Sequence, residues 1–313
     1  MKFRLITTTL AVLLLAGGIA AVAQKQPPFL SSGKTVEAGT AVRVQGAILP
    51  HDLWFATTMP GDEVAFHLPP GFAMRIDGHF VPREGRVTEW LAPQKAGVAS
   101  VVIEQPNGRT AQEITLFVLE PADRIRKGRL NGYRIGSFPA NRPEGFIALD
   151  GPGDMDVPVS PHFTIGQFLC KQQPDHWPKY LLLTPDLITR LETVLAGLHE
   201  TGRTEAETLF VMSGFRTPFY NTAINGAKRS RHMYGDAADV YIDHDPTDGM
   251  MDDLSGDGRV TKQDANWLYD FSASAISDRP EQPSGGLGAY RANAVHGPFV
   301  HIDGRGQAAR WGR

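Results

Sequence analysis

An all-β domain followed by an α+β domain is the fold class this sequence predicts. Three observations carry that expectation: short alternating runs in the first third, one long helical stripe beyond them, and two strand-like runs flanking an acidic insertion. Across residues 33–120 the runs AVRVQG, EVAFHL, FAMRID, ASVVIEQ and EITLFVLE alternate apolar and polar residues with the period of a half-buried strand. Turns such as Met59-Pro60-Gly61-Asp62, Pro69-Pro70-Gly71 and Pro106-Asn107-Gly108 separate them, at the spacing of an antiparallel, immunoglobulin-like sandwich. Such a domain either binds sugar or wall material or acts as a spacer. No ladder of aromatic residues separates the two readings.

The ends and the composition narrow the setting. Lys2 and Arg4 precede a largely apolar stretch over 5–23 that closes on Ala21-Val22-Ala23, so residues 1–23 read as an export signal. The stretch is also close to the ~20 residues that span a bilayer, which makes an uncleaved N-terminal anchor the competing reading. Either way the expected location is periplasmic or secreted, and membrane contact is expected only through that segment. Residues 24–32 form a polar linker. The 31 basic and 34 acidic residues nearly balance and show no basic run, which argues against a nucleic-acid partner. A single cysteine, Cys170, excludes an internal disulfide, so the cores alone must stabilise the fold.

Residues 121–162 form a mixed, Pro/Gly-rich connector expected to wrap the surface of the second domain, which is placed at 163–313. Over 185–200 the spacing of Leu187, Leu191, Val194, Leu195 and Leu198 predicts a helix. Thr184 is its cap and Pro185 suits its first position. The run LFVMSGFR (209–216) then predicts a buried strand that delivers Arg216 to a turn closed by Pro218.

The chemistry concentrates in SRHMYGDAAD (230–239), with the pattern S-x-H-x-x-G-x-A-x-D, and in PFVHIDG (298–304). Strand alternation puts Asp239, Tyr241 and Asp243 on one face and Phe299, His301 and Asp303 on one face of a second strand. If the two strands pair, Asp239 and His301 meet across the ladder, with His232 arriving from the preceding loop. Two histidines and one carboxylate are the ligand set of a hydrolytic zinc that keeps a position open, whereas structural zinc is closed by four side chains and rich in cysteine. Taken singly, each residue is as readily a hydrogen-bonded core histidine or a helix-capping aspartate.

SGFRTPFYN (213–221), SRHMYGDAAD and FVHIDGRGQAARWG together resemble the zinc D-alanyl-D-alanine carboxypeptidases and peptidoglycan endopeptidases, whose catalytic core is shared with hedgehog signalling domains. The resemblance spans roughly residues 125–313. It implies a zinc peptidase acting on peptidoglycan, with Arg216 binding substrate or stabilising a developing oxyanion. A structural ion pair is the other role open to Arg216. Many relatives carry Glu or Asp three residues before the last zinc histidine, or a histidine two residues before it; here those positions are Pro298 and Phe299. His296 is the favoured substitute for proton transfer, and Asp303 is expected to back a metal-bound histidine.

Within the insertion 243–272, DLSGDGRVTKQD matches a twelve-residue calcium loop, with Asp253, Ser255, Asp257, Arg259 (through its carbonyl), Thr261 and Asp264 as ligands and Gly258 at the turn. The stripe Trp267, Leu268, Phe271 after it suits an EF-hand-like half site. Asp at the twelfth position in place of the longer Glu, and the lack of a second loop, depart from the pattern. The resulting expectation is an exported zinc peptidase that hydrolyses amide bonds in peptidoglycan stem peptides or cross-links, with calcium ordering the insertion. A wall-binding module without turnover and a calcium-dependent adhesion protein are the alternatives.

Overall fold

The computed structural model describes residues 42–83, 85–279 and 281–313, so the segments read as export signal and linker lie outside the described residues. Among the described residues no helix is long and apolar enough to cross a membrane. The first part of the chain contains β1 (Arg43–Val44), β2 (Ala47–Ile48), β3 (Leu53–Thr58), β4 (Glu63–His67), β5 (Ala73–Ile76), β6 (His79–Phe80), β7 (Val87–Leu91), β8 (Gly97–Glu104) and β9 (Thr110–Val118). They form two sheets, ordered β2-β1-β4-β7 and β3-β9-β8-β5-β6. In β4 the sequence alternation becomes burial: Val64 and Phe66 point into the core while Glu63 and His67 are exposed. Val101, Ile103 and Leu116 from the second sheet are buried in the same core.

Beyond them come β10 (Glu120–Pro121), β11 (Arg129–Leu130), β12 (Tyr133–Arg134), β13 (Gly145–Leu149), β14 (Pro158–Ser160), β15 (Phe163–Thr164) and β16 (Lys179–Leu181). The connector does not wrap the surface as expected. Its strand β13 pairs with both β10 and β16, and Tyr133, Ile135, Phe146, Leu149 and Val159 are fully buried. Short apolar runs between Pro and Gly look like loop in sequence; here each supplies one or two side chains to a shared core.

The second domain is built on a five-stranded sheet ordered β17-β18-β20-β19-β21, from β17 (Phe210–Ser213), β18 (Ala237–Tyr241), β19 (Gly286–Tyr290), β20 (Phe299–Asp303) and β21 (Ala309–Trp311). Helices α1 (Pro185–Glu200) and α3 (Lys262–Ser277) pack on it, and α2 (Pro218–Ala223) follows the turn after β17. Helix α1 starts where Thr184 Oγ1 accepts from Leu187 N at 3.4 Å, and all five residues of its predicted stripe are inaccessible to solvent. Burying each of these side chains contributes about 1.5–3 kcal/mol. More of α1 is buried than the stripe alone, because α3, the segment before β19 and the end of the connector cover its other faces. There Glu192, fully buried, accepts from the His162 backbone N–H at 3.1 Å and pairs with His162 Nδ1 at 2.7 Å. Thr115 of β9 donates to the Pro158 carbonyl at 2.7 Å, tying the first domain to the connector.

Candidate metal centre

Strands β18 and β20 are antiparallel, and their register sets Asp239 directly opposite His301. His232 arrives on a 3-10 turn (Arg231–Tyr234) that ends at Gly235. Gly235 has φ +69°, a left-handed conformation, and a Cβ there would lie 2.2 Å from the Leu182 carbonyl carbon. Glycine is therefore required twice over, for the turn and for the close approach.

The three side chains converge. His232 Nε2 lies 3.2 Å from His301 Nδ1 and 3.2 Å from Asp239 Oδ1, and His301 Nδ1 lies 2.9 Å from the same oxygen. All three residues are buried. Among the described residues this is the one group of three or more His, Cys, Asp or Glu side chains whose ligand atoms gather closely enough to hold a metal ion.

The outer hydrogen bonds decide what these atoms are. His232 Nδ1 lies 2.7 Å from the Gly214 carbonyl, which can only accept, so the proton sits on Nδ1 and Nε2 carries a lone pair. His301 Nε2 lies 3.0 Å from Asp303 Oδ2. Arg305 Nε contacts both Asp303 oxygens, at 2.8 and 3.0 Å, and the Gly286 N–H donates to Oδ1 at 2.8 Å. Burial alone would raise the pKa of Asp303, but His301 and Arg305 hold it far below the usual carboxylate range. Asp303 is thus a permanent acceptor, His301 carries its proton on Nε2, and its Nδ1 is bare as well. Three acceptor atoms face one another with no donor between them.

Only a cation, or an extra proton on one ring, relieves that arrangement. Donors of a tetrahedral zinc at about 2.0–2.1 Å sit about 3.3 Å apart, close to the separations seen here, and the donor set is the one zinc prefers. The residues therefore fit the ion. Electrostatics agree on the charge states. Burial would raise the pKa of Asp239, but the charges and hydrogen bonds of His232 and His301 hold it well below its ordinary value. Burial also lowers His232, against the pull of Asp239, and keeps it neutral. At His301 burial pulls down but is outweighed by hydrogen bonds from Asp239 and Asp303, so this ring takes the proton when no metal competes.

Residues 163–253 match the family model described as Peptidase M15. This segment is similar to the M15 peptidases. M15 peptidases are zinc-dependent, and the matched stretch carries His232 and Asp239, while His301 joins them through the β18–β20 register. No curated protein matches the chain.

Around this trio, Arg216 contacts Asp239 Oδ2, donates from Nε to Ser213 Oγ at 2.8 Å, and keeps 16% of its side chain in solvent. Asp303, considered for catalysis from the sequence, is fully buried behind His301 with both oxygens occupied, so it positions a ligand and does not reach substrate. His296 lies in the loop between β19 and β20. Its Nδ1 bonds the Gly297 carbonyl at 2.8 Å, Asn293 Nδ2 sits 2.8 Å from Nε2, and its ring meets Phe299 edge-on at 4.9 Å. None of its described contacts is a metal ligand.

Arg305, the Gly214 carbonyl and Trp311 have no role in the sequence reading. Trp311 packs against His301 at 5.3 Å between ring centroids, donates to Tyr290 OH at 2.8 Å and lies under the Arg305 guanidinium. Arg305 and Trp311 both lie within the FVHIDGRGQAARWG motif, so their place beside the last histidine was the available signal.

The carboxylates of the acidic loop take backbone partners. Asp253 accepts from the backbone N–H groups of Gly256, Asp257 and Gly258, Asp257 accepts from Arg259 N, and Asp264 accepts from Ser255 N and Thr261 N at 2.9 and 2.7 Å. The oxygens of these three carboxylates do not all lie within 4.8 Å of one another. Thr261 and Asp264 form the capping box of α3, and the Asp264 side chain, fully buried, accepts from the backbone of Ser255 and Thr261.

Proposed function

We propose that this chain is an exported zinc peptidase that hydrolyses amide bonds in peptidoglycan stem peptides or their cross-links. The observation that carries the reading is the convergence of three buried, donor-free acceptor atoms on an M15 segment. Zinc held there supplies a Lewis acid for the scissile carbonyl and a water acidified to a pKa of about 7. The protein's part is positioning. Gly214 and Asp303 fix the tautomers of the two histidines, and Arg216 holds Asp239 so that Oδ1 faces the rings. Arg216 Nη1 donates to no described residue, which leaves it for a substrate oxygen. Proton transfer falls to His296, whose Nε2 must first release Asn293. The peptidoglycan substrate and the export rest on the motif resemblance and the N-terminal segment.

The hydrogen bonds of His296 favour one other reading, a wall-binding module that keeps the zinc fold without turnover. Digestion of purified peptidoglycan separates the two. The peptidase reading expects new peptide termini that require zinc and vanish with a chelator; sacculi bound but uncut under zinc would favour the binding module.

A further inference from the structure

One charged residue of the FVHIDGRGQAARWG motif has no part in the chemistry above, the arginine at 310. Its side chain reaches from β21 to the residue before β19, where Arg310 Nη1 donates to the Gly285 carbonyl at 2.7 Å. That carbonyl shares a peptide unit with the Gly286 N–H, which donates to Asp303 Oδ1 at 2.8 Å. The other carboxylate oxygen meets His301 Nε2 at 3.0 Å, and His301 Nδ1 is one of the three atoms that face one another in the trio. A line of contacts therefore runs from the Arg310 guanidinium through one peptide and one carboxylate to a metal ligand.

The segment in the middle is shaped for that line. A Cβ on Gly285 would lie 1.8 Å from the Asp303 carbonyl oxygen, and one on Gly286 would lie 2.2 Å from Asp303 Oδ2, so glycine alone lets Asp303 rest against this backbone. On the other side Arg190 of α1, only 1% exposed, donates to the Pro283 carbonyl at 2.7 Å and the Gly286 carbonyl at 3.4 Å. Among the described residues neither arginine has a carboxylate partner; both spend their donors on main-chain carbonyls. A cation on a carbonyl draws density from its peptide nitrogen and strengthens the N–H as a donor, by about 10–30% per bond. Here the strengthened donor is the one that fixes Asp303 Oδ1.

We propose that Arg310 is a positioning residue of the metal centre, acting through the Gly285–Gly286 peptide on Asp303 and so on His301. This rests on the metal-binding reading of the trio. Two arginines of one motif then act on the same carboxylate, Arg305 by direct contact and Arg310 through a peptide, while Arg190 keeps that peptide from drifting away.

The test is a double-mutant cycle on the whole chain, read as zinc affinity by competition with a chromogenic chelator. Arg310→Met removes the charge and the donor and keeps an apolar stem. Affinity is expected to fall about threefold to tenfold, less than the roughly 10- to 100-fold typical of a direct outer partner, because a peptide lies between. In an Asp303→Ala background the same substitution should cost nothing further, since the group it acts on is gone. Arg310→Lys, which keeps a cation, should restore most of the parent's affinity, and that arm decides the matter if Asp303→Ala does not fold. Arg310 is exposed, and urea denaturation of the zinc-free protein records any change in stability separately.

Arg310→Met that binds zinc as tightly as the parent overturns the proposal and leaves the metal reading of the trio standing. An equal loss in both backgrounds overturns it too, since additivity marks a general effect of the sheet edge. So does a loss that lysine fails to restore. A parent that takes up no more zinc than His232→Ala overturns the metal reading, and this inference with it.

Discussion

Two segments of this chain carry metal-ligand residues at metal-ligand spacing, and they fold to opposite ends. In the trio of His232, Asp239 and His301, acceptor faces acceptor, because Gly214 and Asp303 take the only ring protons outward. In the acidic loop, acceptor faces donor: backbone N–H groups donate to Asp253, Asp257 and Asp264. The first needs a cation or an extra ring proton; in the second the backbone already supplies donors. Residue type and spacing are thus half of a metal site; the other half is whether the surroundings supply the protons or withhold them.

The largest effect that sharpens this contrast is at Asp239. Asp239→Ala removes the oxygen both histidines share and is expected to weaken zinc binding well beyond the roughly 100-fold typical of changing an outer partner, measured by competition with a chromogenic chelator. Next comes Asp303→Asn, which leaves all three ligands in place but loosens the orientation of His301. Zinc affinity should drop about 10- to 100-fold, and an unchanged affinity would show that the outer bonds do not set the tautomer.

At the loop the expected change is in stability and not in metal binding. Asp264→Ala removes a buried cap and should lower unfolding free energy by about 1–2 kcal/mol, read by urea denaturation. Millimolar calcium should leave the Tm of the parent where it is. A rise of several degrees would break the contrast, because it would mean the loop carboxylates give up their backbone partners for an ion.

The smallest expected effect lies at the domain junction, where His162 meets buried Glu192. The His162 pKa is raised: burial opposes the shift and the bond to Glu192 outweighs it. Its contribution is complete below the unfolded value of 6.5 and is lost as pH rises through the folded one. Glu192 is lowered, with burial again outweighed by His162, so its contribution is complete above 4.5 and is lost as pH falls through its folded value. Stability from this pair is thus greatest between the two and declines above pH 6.5. Denaturation curves at stepped pH should show about 1 kcal/mol of that decline, and His162→Gln should flatten it.

Local pattern made much of the site legible. Period-two alternation in AADVYID and FVHID fixes which side chains share a face, so the meeting of Asp239 and His301 follows once the strands pair. Helix α1 was readable for the same reason, since its cap and stripe lie within sixteen residues. The unread parts depend on tertiary approach. Nothing near Gly214 in sequence says its carbonyl meets a histidine eighteen positions later, and Glu192 looks like a solvated helix residue until His162 of the connector meets it. In the acidic loop the residue types were legible, but the backbone partners the carboxylates take were not.

The central claim is that a metal ion belongs between His232, Asp239 and His301. Diffraction from crystals grown with zinc and calcium, collected above and below the zinc absorption edge, tests it most directly. The account expects a single zinc peak within bonding distance of His232 Nε2, Asp239 Oδ1 and His301 Nδ1, absent in His232→Ala, with no ion in the acidic loop. A map with no zinc at the trio, or with its ion held by Asp253 and Asp264 instead, would contradict it.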